Sequence, residues 1–167
     1  KGKTLVSIFV NPKQFNDKKD FIKYPRNLKK DLRILKRLNV DLIYLPTLKD
    51  IFSFKVKNKI YLDKFSKKLC GKSRKGHFKG VLNIVNRFLE LIKPKYIFLG
   101  IKDFQQSYLI SKHINKRKIN TKVINCKTIR EKSGLACSTR NNNLTGKQLK
   151  IASNVIKYLK GKKKLIK

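Results

Sequence analysis

The chain of 167 residues contains no methionine and no tryptophan, and only nine acidic residues stand against 44 lysines and arginines, a formal charge of +35. Because even position 1 is not methionine, Lys1 reads as an internal residue of a longer polypeptide. No stretch approaches the roughly 18 uncharged apolar residues that a membrane span needs, and no basic, apolar and small-residue succession opens the chain as a secretory signal would. Only three cysteines occur, Cys70, Cys126 and Cys137, far apart and with two histidines in the whole chain, too few for a zinc site. An odd cysteine number without a signal fits a reducing cytosol, so the expected location is cytoplasmic. The four prolines and eight glycines do not suggest a low-complexity chain, and 40% hydrophobic content with ten phenylalanines suffices for a core. This length fits one domain, or one domain and part of another.

The charge excess alone would point to nucleic acid or an anionic membrane, since such a field concentrates polyanions. Its make-up argues otherwise. The basic residues are 36 Lys and 8 Arg, beside 18 Ile, 14 Asn and two Ala, Ala136 and Ala152. Lys, Asn and Ile have A/T-rich codons, so the basicity follows genome composition. A phosphate-binding surface would favour Arg, whose planar fork grips two oxygens, and would cluster it. Here Lys runs from end to end, with a mild crowd only at Lys160 to Lys164. No specific nucleic acid and no membrane are expected as partners.

Thr4 to Val10 is apolar and β-branched, a strand covered on both faces by pattern, and it stops at Asn11-Pro12. Leu28, Leu32, Leu35 and Leu38 then recur at helical spacing, and Asp41 to Leu45, closed by Pro46, reads as a second strand. Strand, helix and strand within about forty residues make a βαβ unit. Phe54, Val56, Ile60 and Leu62 alternate with lysines and suggest a short exposed strand or hairpin. Helical spacing returns over Val81 to Ile92, before a strand at Lys95 to Leu99, a helix at Phe104 to Asn115 and a strand at Lys122 to Cys126. This alternation predicts an α/β fold: a Rossmann-like parallel sheet with helices on both faces over residues 1–128. After Thr128 an Asn-rich loop and a lysine-rich helix, Gly146 to Leu159, open a smaller C-terminal domain over 129–167.

Ligands of open α/β sheets bind where strands end at their carboxyl edges. Those positions hold Asn11 to Phe15, Gly100 to Gln106, and the loop running to Ser138-Thr139-Arg140-Asn141. Amides, hydroxyls and cations abound there, with no nucleophile beside a base. Each also has a plain structural reading. Gln14 suits a solvated turn, Gly100 a tight one, Lys102 open solvent, and Asp103 the N-cap of the next helix. Ser138 to Arg140 suits an ordinary polar loop, His77 a hydrogen-bonding residue in a turn, and His113 a surface position.

In combination and order these segments are far more specific. SIFVNPKQF (Ser7 to Phe15), DFIKYPRNLKKDL (Asp20 to Leu32), GHFKGV (Gly76 to Val81), GIKDFQQ (Gly100 to Gln106) and TIREKSGLACSTRN (Thr128 to Asn141) run through some 130 residues. The sequence resembles the pantoate–β-alanine ligase family of the nucleotidylyl transferase superfamily. The resemblance implies a two-step reaction: the carboxylate of pantoate attacks the α-phosphorus of Mg-ATP, and the amine of β-alanine then displaces AMP to give pantothenate. It implies that Gln14 and Gln106 hold pantoate, Gln14 also lying near β-alanine. Gly100, Ile101, Lys102, Asp103, Ile129, Cys137, Ser138, Thr139 and Arg140 would line the ATP site. Lys102, Ser138 and Arg140 would act on the phosphates, with Mg²⁺ entering through ATP because no metal-ligand cluster is present. A homodimer is implied for the full-length chain.

Two departures qualify that expectation. The family usually has Glu where Ile101 stands and Ser where Thr139 stands; Thr keeps the hydroxyl, whereas Ile removes a charge. The family's proline-threonine-methionine-glycine segment and His-x-Gly-His motif, with the first strand of the nucleotide fold, are expected to precede Lys1, and most of the C-terminal lid to follow Lys167. Such a fragment would be inactive alone. The alternatives are a degenerate, non-catalytic paralogue and a basic nucleic-acid-binding module, the latter recognisable by a steep loss of binding with salt.

Overall fold

The computed structural model describes residues 2–12, 15 and 18–163. Its first part is a βαβ unit: β1 (Leu5–Ser7), the short α1 (Lys18–Lys23), α2 (Leu28–Arg37) and β2 (Leu42–Tyr44). The strands pair in parallel, Leu5 opposite Leu42. Asn27 caps α2 by accepting the Lys30 N–H. The two strand entries are clipped together, since the Thr4 N–H and hydroxyl both donate to Asp41 Oδ2 at 2.7 Å. The backbone and hydroxyl bonds from Thr4 hold the Asp41 carboxyl below the usual carboxylate range.

α3 (Leu48–Phe52) starts with a capping box, Thr47 and Asp50 exchanging bonds. A turn at Lys64–Lys67, the single turn α4 (Cys70–Ser73) and the long α5 (His77–Ile92) follow. Then come β3 (Tyr96–Gly100), a tight turn at Ile101–Asp103, α6 (Phe104–Lys116) and β4 (Lys122–Cys126). β3 and β4 pair in parallel from Tyr96–Lys122 to Gly100–Cys126. The turn Thr139–Asn143 and α7 (Gly146–Lys163) come last.

The core lies where α5 and α6 cover one face of β3 and β4. Val81, Leu82, Leu89, Ile110 and Ile114 are buried there, with Ile97, Leu99 and Val123 of the strands packed on them. Burying each such side chain contributes about 1.5–3 kcal/mol. Alternate residues of β3 point the other way, and Tyr96 and Phe98 are exposed, Phe98 by 67%. The expected parallel α/β arrangement is present as two separate two-stranded ladders, β1–β2 and β3–β4. β1 itself is not covered on both faces: Leu5 and Ser7 are exposed and Val6 half-buried.

Two local expectations are corrected. The strand or hairpin expected around Phe54 to Leu62 is an irregular strap, because side chains of α5 and α6 take the bonds a ladder would have made. Glu90 accepts the N–H groups of Lys57 and Asn58, Asn86 donates to the Asn58 carbonyl, and the Tyr61 N–H donates to His113 Nδ1 at 3.0 Å. Burial raises the Glu90 pKa, but the backbone and side-chain hydrogen bonds from Asn58, Lys57 and Asn86 together outweigh it and leave the carboxyl below its ordinary value. His113 is therefore no surface residue: it is fully buried, with Nε2 2.9 Å from Asn86 Oδ1. Accepting at Nδ1 makes Nε2 the protonated nitrogen, so the ring is the neutral Nε2–H tautomer. Its polar neighbours in sequence hid a helix face that meets α5.

Candidate active site

The carboxyl ends of β3 and β4 are adjacent, Gly100 opposite Cys126, and both segments expected to bind nucleotide leave from there. Gly100 passes into the turn that holds Ile101, Lys102 and Asp103, all exposed. β4 passes into residues 127–140, where Arg130 and Ala136 form an antiparallel bridge and the Cys137 N–H donates to the Ile129 carbonyl at 3.0 Å. Gly134 makes this hairpin possible, with φ +88, a left-handed conformation that disfavours side chains. Asn141 binds the hairpin to the next turn, donating to Glu131 Oε1 and to the Ala136 carbonyl.

A side-chain bond joins the two segments: Lys102 Nζ donates to the Cys137 carbonyl at 3.0 Å. A cation from the first segment thus sits at the entrance of Cys137-Ser138-Thr139-Arg140. Ser138 Oγ accepts the Arg140 N–H, fixing the start of the Thr139–Asn143 turn. The Arg140 guanidinium reaches back over the Tyr24 ring, 5.0 Å from its centroid. Ile129 is 73% exposed, and Thr139 is exposed in the same loop. Acids on these two segments are few: Asp103 on the turn and Glu131 on the hairpin, the latter already holding Asn141. Such an arrangement of cations, hydroxyl and exposed apolar surface suits an anionic ligand with a flat apolar part.

Asp103 occupies the N-cap position of α6, as expected, but its side chain makes no capping bond. Gln106, in the first turn of α6, is half-buried. Gln14 lies outside the described residues. Asn11, before it in the chain, is buried and donates to the Gly80 carbonyl at 3.4 Å. His77 is likewise buried, at the start of α5 with its ring edge-on to Phe78.

One residue that supports this site escaped the sequence reading. Gln105 is buried and holds the preceding loop with three bonds: Nε2 donates to the carbonyls of Phe65 and Lys68, and Oε1 accepts the Cys70 N–H. Between those anchors Leu69 has φ 48, strained for a residue with a β-carbon. Neighbouring glutamines on a helix point about 100° apart, so one faces inward and the other sideways; the doublet Gln105-Gln106 was the available signal. The described residues also contain an open apolar groove lined by Val6, Ile8, Ile34, Leu35 and Asp31, which includes none of the site residues. Among the described residues no three His, Cys, Asp or Glu side chains gather as metal ligands, and no helix is long and apolar enough to cross a membrane.

A parallel α/β unit with cations near the carboxyl ends of its strands is an arrangement that nucleotide-binding folds share. The family model for pantoate–β-alanine ligase matches residues 1–166. The chain is 43% identical over 164 residues to a pantothenate synthetase of Flavobacterium psychrophilum, covering 97% of this chain and 58% of that protein. It is 42% identical over 160 residues to a pantothenate synthetase of Francisella tularensis subsp. novicida, with 93% and 60% covered. Among solved structures, it resembles the pantoate–β-alanine ligase of Francisella tularensis in complex with β-γ ATP and β-alanine, with TM-score 0.87, 42% identity and 95% and 61% covered. The enzyme of Thermus thermophilus aligns with TM-score 0.83 at 31% identity, with 90% and 55% covered. The chain belongs to the pantoate–β-alanine ligase family. It spans somewhat under two thirds of the length of these relatives.

Proposed function

We propose that this chain is the nucleotide- and pantoate-binding part of a cytoplasmic ligase that condenses pantoate with β-alanine, driven by ATP and releasing pyrophosphate and AMP. The observation that carries the reading is the bond from Lys102 to the Cys137 carbonyl, which brings the KDFQQ turn and the Ser138-Thr139-Arg140 loop to one place. In the first step a pantoate carboxylate oxygen bonds to the α-phosphorus as the bond to the bridging oxygen of pyrophosphate breaks. Lys102 and Arg140 offset the charge that collects on the phosphate oxygens, and the Ser138 hydroxyl donates to them. In the second step the free amine of β-alanine bonds to the acyl carbon, the bond from that carbon to the oxygen it shares with phosphorus breaks so that AMP leaves with that oxygen, and the nitrogen releases one proton to solvent and keeps the other as the amide N–H. Neither step needs a covalent enzyme intermediate, so catalysis is positioning and charge stabilisation.

Gln106 and Gln14 are assigned to pantoate, the latter also to β-alanine, and Gly100, Ile101, Asp103, Ile129, Cys137 and Thr139 to the nucleotide. Ile101 is 43% exposed and apolar; it can cover the nucleotide but supplies no charge. Mg²⁺ is assigned to the ATP phosphates, as the companion ion it commonly is in nucleotide sites. Residues 1–128 are the first domain and 129–167 the start of a lid, and the full-length enzyme is a homodimer. The test uses the parent chain at the length of its relatives: pyrophosphate release from ATP must require pantoate, and AMP-linked amide formation must require β-alanine. Arg140→Lys keeps the charge and loses the two-pronged donor, so it slows pyrophosphate release while turnover of supplied pantoyl adenylate with β-alanine falls much less. A parent with neither half-reaction would be a degenerate paralogue.

A further inference from the structure

Arg140 belongs to the segment after β4, yet its guanidinium rests on a ring from the loop between α1 and α2. That ring is part of an aromatic group. Tyr24 meets Phe15 edge-on at 5.4 Å and 74°, and Phe15 meets Phe21 edge-on at 5.3 Å and 69°. Arg26 adds to the group, 4.5 Å over the Phe21 ring and donating to the Phe21 carbonyl at 2.8 Å. Pro25 restricts the backbone of Tyr24 to extended conformations. Tyr24 is half-buried, while Arg140 is exposed. The partner with many rotamers is thus held by a partner with few.

Stacking and anion binding use different parts of a guanidinium. The ring attracts its face, whereas its five N–H donors lie in its plane and point outward. With its guanidinium carbon 5.0 Å over the Tyr24 ring, the arginine is restrained by a contact that does not itself use the N–H donors phosphate oxygens need, and it loses less side-chain freedom when it binds them. The geometry points to Tyr24 as a positioning residue that presents Arg140 to the ATP phosphates. This inference rests on the phosphate role proposed above for Arg140. It assigns the aromatic group Phe15–Phe21–Tyr24 a share in ATP use as well as in packing, and it couples the segment after β1 to the loop after β4.

The test compares variants of the parent chain at the length of its relatives, each checked for cooperative unfolding. Tyr24→Leu is expected to reduce pantoate-dependent pyrophosphate release about threefold to thirtyfold, the range a cation–π contact supports. The ATP requirement rises, the pantoate KM stays put, and turnover of supplied pantoyl adenylate is preserved. Tyr24→Phe retains activity within about twofold, because the ring face remains. In an Arg140→Ala background Tyr24→Leu adds less than about twofold, since the two residues act as one unit. Pentafluorophenylalanine at position 24 keeps the shape and reverses the sign of the ring face, and falls with the Leu variant; it also decides the matter if Tyr24→Leu does not fold. The inference is overturned if pentafluorophenylalanine equals Phe, if Tyr24→Leu equals wild type, or if its effect persists in full without Arg140. A wild-type parent that releases no pyrophosphate overturns the functional reading itself, an outcome separate from an active parent indifferent to Tyr24.

Discussion

Replacing His113 by Leu removes the acceptor of the Tyr61 N–H and the donor to Asn86 Oδ1. Leaving each buried polar group unpaired costs about 1–3 kcal/mol, and the added apolar burial of Leu returns part of that. The net loss expected is about 2–4 kcal/mol, a large share of the stability of a domain this size. Urea unfolding at pH 8 measures it as a lower midpoint with an unchanged slope. The same substitution removes a pH dependence whose sign is fixed by the structure. Burial holds the His113 pKa below its ordinary value, the nearby Arg117 charge acts in the same sense, and Glu90 opposes them. The unfolded chain therefore takes up a proton near pH 6.5 that the folded chain refuses. Stability from this group is complete above about pH 6.5 and declines as pH falls towards the depressed folded value, with a slope of up to about 1.4 kcal/mol per pH unit. Protonation at Nδ1 would set two N–H groups against each other at Tyr61, releasing the strap. The difference between wild type and His113→Leu cancels His77 and the carboxylates. A Leu variant that loses less than about 0.5 kcal/mol at pH 8, or a difference that stays constant from about pH 7.5 to 5, refutes the tautomer and the strap as described.

Other substitutions separate the remaining claims. Lys102→Gln in the parent chain slows pyrophosphate release on the order of a hundredfold, as loss of a transition-state charge contact does, whereas Lys160→Gln with Lys162→Gln leaves it nearly intact; comparable losses in steady-state assays would mean that the overall basic field drives function. Gln105→Leu orphans the Cys70 N–H and loosens the strained turn at Leu69, lowering stability by about 1–3 kcal/mol in denaturant titration; Gln105→Glu, which turns an acceptor towards the Phe65 and Lys68 carbonyls, lowers it more at pH 7 than at pH 4, and the reverse order would refute the clamp. Gly71→Ala drives a methyl group into the Ser66 carbonyl, where an added Cβ would overlap the oxygen; thermal melts show a loss beyond about 2 kcal/mol, and a neutral result would exclude that close approach.

Local sequence determined the regular elements and the chemistry available to them. The leucines of α2, the apolar periodicity of α5 and the short apolar runs of β3 and β4 fix those elements because side-chain spacing dictates which face can be buried. The segments VNPKQF, KDFQQ and CSTRN pointed to the family because their order and residue types are improbable together, and they supplied the residues proposed for the site. Nearest-neighbour pattern could not say what happens between Phe54 and Leu69: alternation suggested a strand, and only the side chains of Glu90, Asn86, His113 and Gln105, some 30 to 50 positions away, provide the partners that make it an irregular strap. For the same reason His113 looked like surface until α5 was packed on its helix. The meeting of Lys102 with Cys137, and of Arg140 with Tyr24, also belongs to tertiary structure alone. Such contacts join residues 35 and 116 positions apart, distances at which sequence sets composition but only the folded backbone sets proximity.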